Sequence, residues 1–171
     1  MKLKYIFLLL FISLQSFGQD IIDLDHVYFE NNQAYNVLNH QLFTGIVQDK
    51  KKNGHVKYEF FYEKGRFVKS YVYYNTKAGQ HIYSEKIYDP STSKIVKEIR
   101  YRLSDKESYS ILLYDEFQQI MTHDYYKNEK IIRHESFQNR KKHGKWFCTL
   151  EDGSICETEY LNNKKIKDCT I

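Results

Sequence analysis

The chain has 171 residues, is 42% hydrophobic, 16% aromatic and 28% charged, and carries a formal net charge of +4 with a single proline. A balance this close to neutral gives no argument for a nucleic-acid partner. The length is that of one ordinary domain plus a short leader.

The first residues read MKLKYIFLLLFISLQSFGQD. Lys2 and Lys4 make a positive start, Tyr5 to Leu14 an apolar run, and Ser16 and Gly18 are small residues three and one positions before a cut ahead of Gln19. This layout predicts a secretory signal peptide over residues 1–18, with a single domain over 19–171. The alternatives are a buried N-terminal helix or an uncleaved anchor. The apolar run is well short of the ~20 residues a spanning helix needs, so an integral membrane protein is not expected. No cysteine lies near the cut, which argues against a lipid anchor. Losing Lys2 and Lys4 takes the formal charge from +4 to +2. The expected location is periplasmic or secreted.

Turn signals then punctuate the chain: Asn31-Asn32, Asn53-Gly54, Lys64-Gly65, Asn75 to Gly79, Asp89 to Ser93 and Ser104-Asp105. They continue at Asp115-Glu116, Asn128-Glu129, Asn139 to Gly144, Asp152-Gly153 and Asn162-Asn163. Such residues reach positive φ at low cost, so the even spacing predicts a series of hairpins. Between them lie aromatic and β-branched segments such as HVKYEFFY, RFVKSYVYY, KIVKEIRY and KIIRHESF, which are strand chemistry. Ile95, Lys97, Ile99 and Tyr101 alternate with Val96, Glu98, Arg100 and Arg102. No mature stretch carries a helical apolar stripe.

A mean hydropathy of −0.66 is low for a two-sheet sandwich of this size. Sixteen tyrosines reconcile it with a folded chain, since a tyrosine covers a sheet face with its ring and leaves its hydroxyl in water. The expectation is an all-β, antiparallel meander of repeated hairpins, elongated, twisted and largely single-layered. A β-sandwich or barrel is the alternative.

Pairs of strands give a repeat whose best copies are FTGIVQDKKKNGHVKYEFFYEKGRFVKSYVYY (residues 43–74) and NRKKHGKWFCTLEDGSICETEYLNNKK (residues 139–165). This pattern resembles the MORN-type repeat, in the bacterial variant of the YwqK-like antitoxin repeat family. Gly144-Lys145-Trp146, Asp152-Gly153 and Tyr160 to Lys164 match best. The resemblance covers about residues 25–167 and weakens between Gln80 and Gln138, where turn glycines are missing. It implies an extended β-repeat interaction surface with no shared catalytic residues, and antitoxin or immunity activity for some relatives.

Three constellations stand out. A three-residue loop at Glu151-Asp152-Gly153 would set Cys148 opposite Cys156, within bridging distance, and a Cys148–Cys156 disulfide is the first expectation. A two-residue loop would instead pair Thr149 with Cys156. Cys169 bonded to one of them, or three reduced thiols, remain open. A two-residue loop at Asn128-Glu129 would set His123 opposite His134, a weak metal candidate lacking third and fourth ligands. Tyr58, Phe60 and Tyr62 share one face of a strand, as do Tyr71 and Tyr73, and with Trp146 these are candidates for a binding surface. The same rows could simply hold the sheet together.

No G-x-S-x-G, H-E-x-x-H or phosphate-loop pattern occurs, so an enzyme is not expected, no cofactor is assigned, and a hydrolase is the least favoured reading. The leading functional expectation is an exported, non-catalytic scaffold that binds another protein, with a toxin as one candidate partner. Long sheet edges would invite strand addition by that partner. An envelope glycan- or lipid-binding protein is the alternative.

Overall fold

The computed structural model describes residues 20–76 and 79–169. The expected leader, residues 1–18, lies outside the described residues. The strands are β1 (Asp20–Asp23), β2 (Val27–Glu30), β3 (Gln33–Asn36), β4 (Gly45–Lys50), β5 (Val56–Glu63), β6 (Arg66–Thr76), β7 (Gly79–Tyr88) and β8 (Ile95–Tyr101). They continue with β9 (Ser108–Tyr114), β10 (Ile120–Lys127), β11 (Lys130–Gln138), β12 (Lys141–Lys142), β13 (Gly144–Thr149), β14 (Ile155–Leu161) and β15 (Lys164–Lys167). One 3-10 turn, Leu24–His26, is the only helical element among the described residues. No helix among them is long and apolar enough to cross a membrane.

Thirteen strands form one sheet in the order β1-β4-β5-β6-β7-β8-β9-β10-β11-β13-β14-β15, with β12 on β11 beside that path. From β4 onward the strands pair antiparallel with their neighbours in sequence, as the turn spacing suggests. Only β1 joins in parallel, beside β4. The path does not close, so the meander forms and the sandwich or barrel does not. Its two edges are four-residue strands, and β15 is Lys-Lys-Ile-Lys with a bulge. Short, lysine-rich, bulged edges resist strand addition, which corrects the expectation of long inviting ones.

The tight reversals place two successive residues in left-handed backbone, the type I′ geometry that fits the twist of paired strands. Lys64-Gly65 (φ 48° and 75°), Asn128-Glu129 (48° and 63°) and Asn162-Asn163 (50° and 71°) are of this kind. At Gly65 the absence of a side chain matters twice. A Cβ there would lie 2.6 Å from Leu42 Cδ2 and 3.1 Å from the Ala34 carbonyl oxygen.

That crowding marks the one place where a second layer forms among the described residues. The chain between β1 and β4 must cross over to make a parallel pair, and it does so as the β2–β3 hairpin. This hairpin is stitched to the sheet by backbone bonds from Ala34 N–H to Gly65 O (2.9 Å) and from Gly65 N–H to Phe43 O (2.7 Å). Val27, Ala34, Phe43, Val47 and Tyr62 are buried beneath it, with Ile22, Phe60 and Phe67 packed alongside.

A second regularity was not anticipated. In seven hairpins the register slips by one, and each time the skipped residue is on the returning strand: Lys57, Val68, Tyr83, Val96, Met121, Ile132 and Ile166. Such bulges increase local twist, and they shift which residues share a face. The His123–His134 pairing fails for this reason. The two-residue Asn128-Glu129 loop forms, but the bulge at Ile132 sets His123 against Glu135 and Asp124 against His134. The two histidines therefore point to opposite faces.

The cysteine expectation is half met. Leu150 donates its N–H to Ser154 O at 2.8 Å, and Cys148 faces Cys156. The bond, however, joins Cys156 to Cys169, with Cα atoms 5.2 Å apart, and leaves Cys148 as a free thiol. Leu150 and Ser154 are a hydrogen-bonded pair, so by alternation Cys148 and Cys156 are too, and that is the position where facing side chains stand farther apart. Cys169, beyond the end of β15, is not held at a ladder position and takes the bond.

Two left-handed glycines separate backbone strain from packing. Gly153 (φ 85°) has open space where its Cβ would be, whereas Gly65 does not. Gly153→Ala is expected to cost about 1–2 kcal/mol of unfolding free energy from backbone strain alone. Gly65→Ala should add about 1–3 kcal/mol of overpacking to that. Equal losses in urea titrations would contradict the docking of the hairpin on the sheet.

Candidate interaction face

Register partners run in unbroken rows across the sheet. One row is Val47, Phe60, Ser70, Lys86, Glu98, Leu112, His123 and Glu135, on β4 through β11. The next is Tyr58, Val72, Ser84, Arg100, Ser110, Tyr125, Arg133, Cys148 and Cys156. Both lie on the face that the β2–β3 hairpin covers at one end, the core face. The buried side chains of the main sheet all fall on it: Val47, Tyr62, Ser70, Ser84, Glu98, Ser108, Leu112, Glu135 and Trp146.

The aromatic candidates divide between the two faces. Tyr58, Phe60 and Tyr62 lie on the core face, but Phe60 and Tyr62 are packed in the hairpin cluster. Tyr71 and Tyr73 lie on the outer face, where Lys69 Nζ donates to Tyr71 Oη (2.9 Å) and the Tyr73 hydroxyl donates to Glu59 (2.6 Å). Trp146 is 9% exposed and donates its indole N–H to Ser136 O at 2.8 Å, with Phe137 and Tyr160 against its ring. These residues do not form one common platform.

What the rows bring together instead is a polar lattice that the sequence reading missed. Glu98, 4% exposed, accepts hydrogen bonds from Arg100 (2.8 Å) and from the Tyr114 hydroxyl (2.8 Å). Burial alone would raise the Glu98 carboxyl pKa, but those two bonds and the charges of Arg100 and Lys86 outweigh it and hold the pKa below its usual value. Tyr114 is pushed up to about 12 by burial and by the same carboxylate. Two strands on, Glu135 is paired with Arg133, and His123 Nδ1 lies 3.8 Å from its other oxygen. Burial depresses the His123 pKa more than Glu135 raises it. The ring stacks on Tyr125, whose hydroxyl is 3.1 Å from Nδ1, and Nε2 is buried without a hydrogen-bond partner.

Two hollows open on this face, on either side of the lattice. One, of about 490 Å³, lies among Tyr74, Tyr83, Arg100, Arg102, Ser108 and Tyr125. Ser108 and Ser110 in its lining are too small to fill it. The other, of about 820 Å³, lies between the tip of the β2–β3 hairpin and the β7–β8 turn, lined by Phe29, Tyr62, Arg66 and Phe67. Phe29 is 55% exposed at its rim.

A His–Asp pair lies on the outer face. His134 Nδ1 and Asp124 Oδ1 are 2.5 Å apart, and Ser136 and Thr122 are their neighbours on that face. Ser136, however, donates its hydroxyl to the carbonyls of His143 and Lys145, so it is not poised as a nucleophile. Among the described residues no three His, Cys, Asp or Glu side chains gather as a metal site. No protein-family model matches this chain, and no curated protein is significantly similar to it.

Glu98 and His123 both have folded-state pKa values below their ordinary 4.5 and 6.5. Each therefore supports folding fully above its ordinary value and loses that support as pH falls through the folded one. The melting temperature should drop in two stages, first below pH 6.5 and again below 4.5. His123→Gln should erase the first stage and spare the second. A melting temperature that is flat from pH 7.5 to 5 in the parent chain, in a buffer series at constant ionic strength, would contradict the lattice.

Proposed function

We propose that this chain is an exported, non-catalytic β-repeat scaffold that binds another protein through its core face. The observation that carries the reading is the pair of hollows on that face, each walled by aromatic rings and arginine side chains. Tyrosine and arginine supply a disproportionate share of the energy at protein interfaces, because they combine contact area with directional polar groups. The face is also pre-organised, since the carboxylates beneath it already hold Arg100 and Arg133. A partner would meet a surface that loses little conformational entropy on binding. With short, charged edges, the faces are what the molecule offers.

The resemblance to antitoxin repeat proteins adds a toxin as one class of partner, by analogy of repeat pattern rather than of site. The leader-like first residues support encounter outside the cytoplasm.

A photo-reactive amino acid placed at Tyr83, on the core face, and at Lys97, on the outer face, tests this in the producing cell. A discrete protein adduct is expected from position 83 and none from 97. In the captured complex, Arg102→Ala is expected to weaken binding by about 2 kcal/mol, roughly thirty-fold. Equal labelling from both faces would overturn the proposal. So would an adduct that is glycan or lipid rather than protein, the outcome favouring an envelope-binding role.

A further inference from the structure

The three cysteines lie in one corner of the sheet, and the middle one has a cysteine on each side. On β13, Cys148 is the register partner of Cys156 on β14. Across β14, Cys169 follows β15 and is bonded to Cys156. The β13–β14 ladder runs from Gly144–Tyr160 to Thr149–Ile155 without a bulge, so Cys148 is fixed where it stands. As a hydrogen-bonded pair, Cys148 and Cys156 have Cα atoms about 5.5 Å apart, the wider of the two ladder spacings and still within the range a disulfide spans. Cys156 can therefore bond to either neighbour without movement of β13 or β14.

We propose that Cys148, Cys156 and Cys169 form a thiol–disulfide exchange site that tethers and releases the C-terminal edge strand. The Cys148 thiolate attacks Sγ of Cys156, and a Cys148–Cys156 bond forms as the Cys156–Cys169 bond breaks. Cys169 leaves as a thiolate and takes up the proton that Cys148 gave away. One disulfide and one thiol exist before and after, so the step needs neither oxidant nor reductant. Chain entropy favours neither form strongly. Cys148–Cys156 closes a shorter loop than the 13-residue separation of Cys156 and Cys169, and closure varies only with the logarithm of length, a difference of about twofold.

The two forms differ in what holds β15. All four of its residues are exposed, and only three register pairs join it to β14. The bond at Cys169 is its covalent anchor. Exchange removes that anchor while β13 and β14 stay locked together, and fraying of β15 then bares the backbone of β14 at Glu159–Leu161, extending the open edge along the whole strand. An extended segment of another chain is the ligand such an edge takes. This goes beyond the core-face reading and does not depend on it.

Peptide mass mapping after acid trapping of thiols tests the exchange on the full chain. At pH 8.5 without added thiol, both Cys156–Cys169 and Cys148–Cys156 peptides should appear, with the free thiol divided between Cys169 and Cys148. Cys148→Ser should hold the first pairing and Cys169→Ser the second. Amide hydrogen exchange at Lys164–Lys167 should be at least tenfold faster in Cys169→Ser than in Cys148→Ser, with β13 protection unchanged. A single Cys156–Cys169 pairing at all times would overturn the proposal. So would a Cys169→Ser chain in which Cys148 and Cys156 both stay reduced.

Discussion

A sheet with one layer over most of its length can satisfy a buried side chain only from the same strand and its neighbours. Among the described residues no hairpin lies over the core face beyond β6, yet Leu112 is nearly as buried there as Val47 is beneath the β2–β3 layer, and Glu98 and Glu135 are buried too. Cross-strand register is therefore the constraint on which everything else depends. It brings Tyr114 to Glu98 and His123 to Glu135, each carboxylate already paired with an arginine two residues away on its own strand, and leaves room among the serines. A slip of one residue on any strand would turn its whole set of side chains to the other face.

The bulges set that register. Six of the seven skipped residues are apolar, and each is the second member of an apolar doublet soon after a turn: Phe67-Val68, Ile82-Tyr83, Ile95-Val96, Ile120-Met121 and Ile131-Ile132, with Lys165-Ile166 the exception that keeps only the second. An apolar doublet breaks the alternation of a regular strand, and this is the sequence signal by which the slips could have been found. Taking Asn128-Glu129 as a plain two-residue hairpin gave the correct turn and the wrong partner for His123. The turns themselves, the strands and the open meander were all legible, because they follow from local backbone chemistry.

Which face would be buried was not legible. On β8 the alternation of Ile95, Lys97, Ile99 and Tyr101 with Glu98, Arg100 and Arg102 is plain, but the buried member is Glu98. Hydrophobic patterning assigns the apolar set to the interior only where a second layer exists to cover it. Here both faces stay partly wet, and the shielded residues include carboxylates paired with an arginine on the same strand and bonded or close to a side chain on the next. The middle of the chain, where the repeat resemblance fades, is where this lattice sits. Turn glycines are missing there, and buried carboxylates with their charge partners are concentrated there.

The cysteines illustrate the same limit on a smaller scale. Facing positions on a ladder permit a bridge but do not decide between two neighbours, and Cys169 lies beyond the reach of strand patterning. The most direct measurement of the central claim is the cross-strand nuclear Overhauser pattern of His123. Contacts from its ring and backbone to Leu112 and Glu135 are expected, alongside contacts from His134 to Asp124 and Phe147. Contacts between His123 and His134 would show that the bulge at Ile132 is absent, and the polar lattice with it.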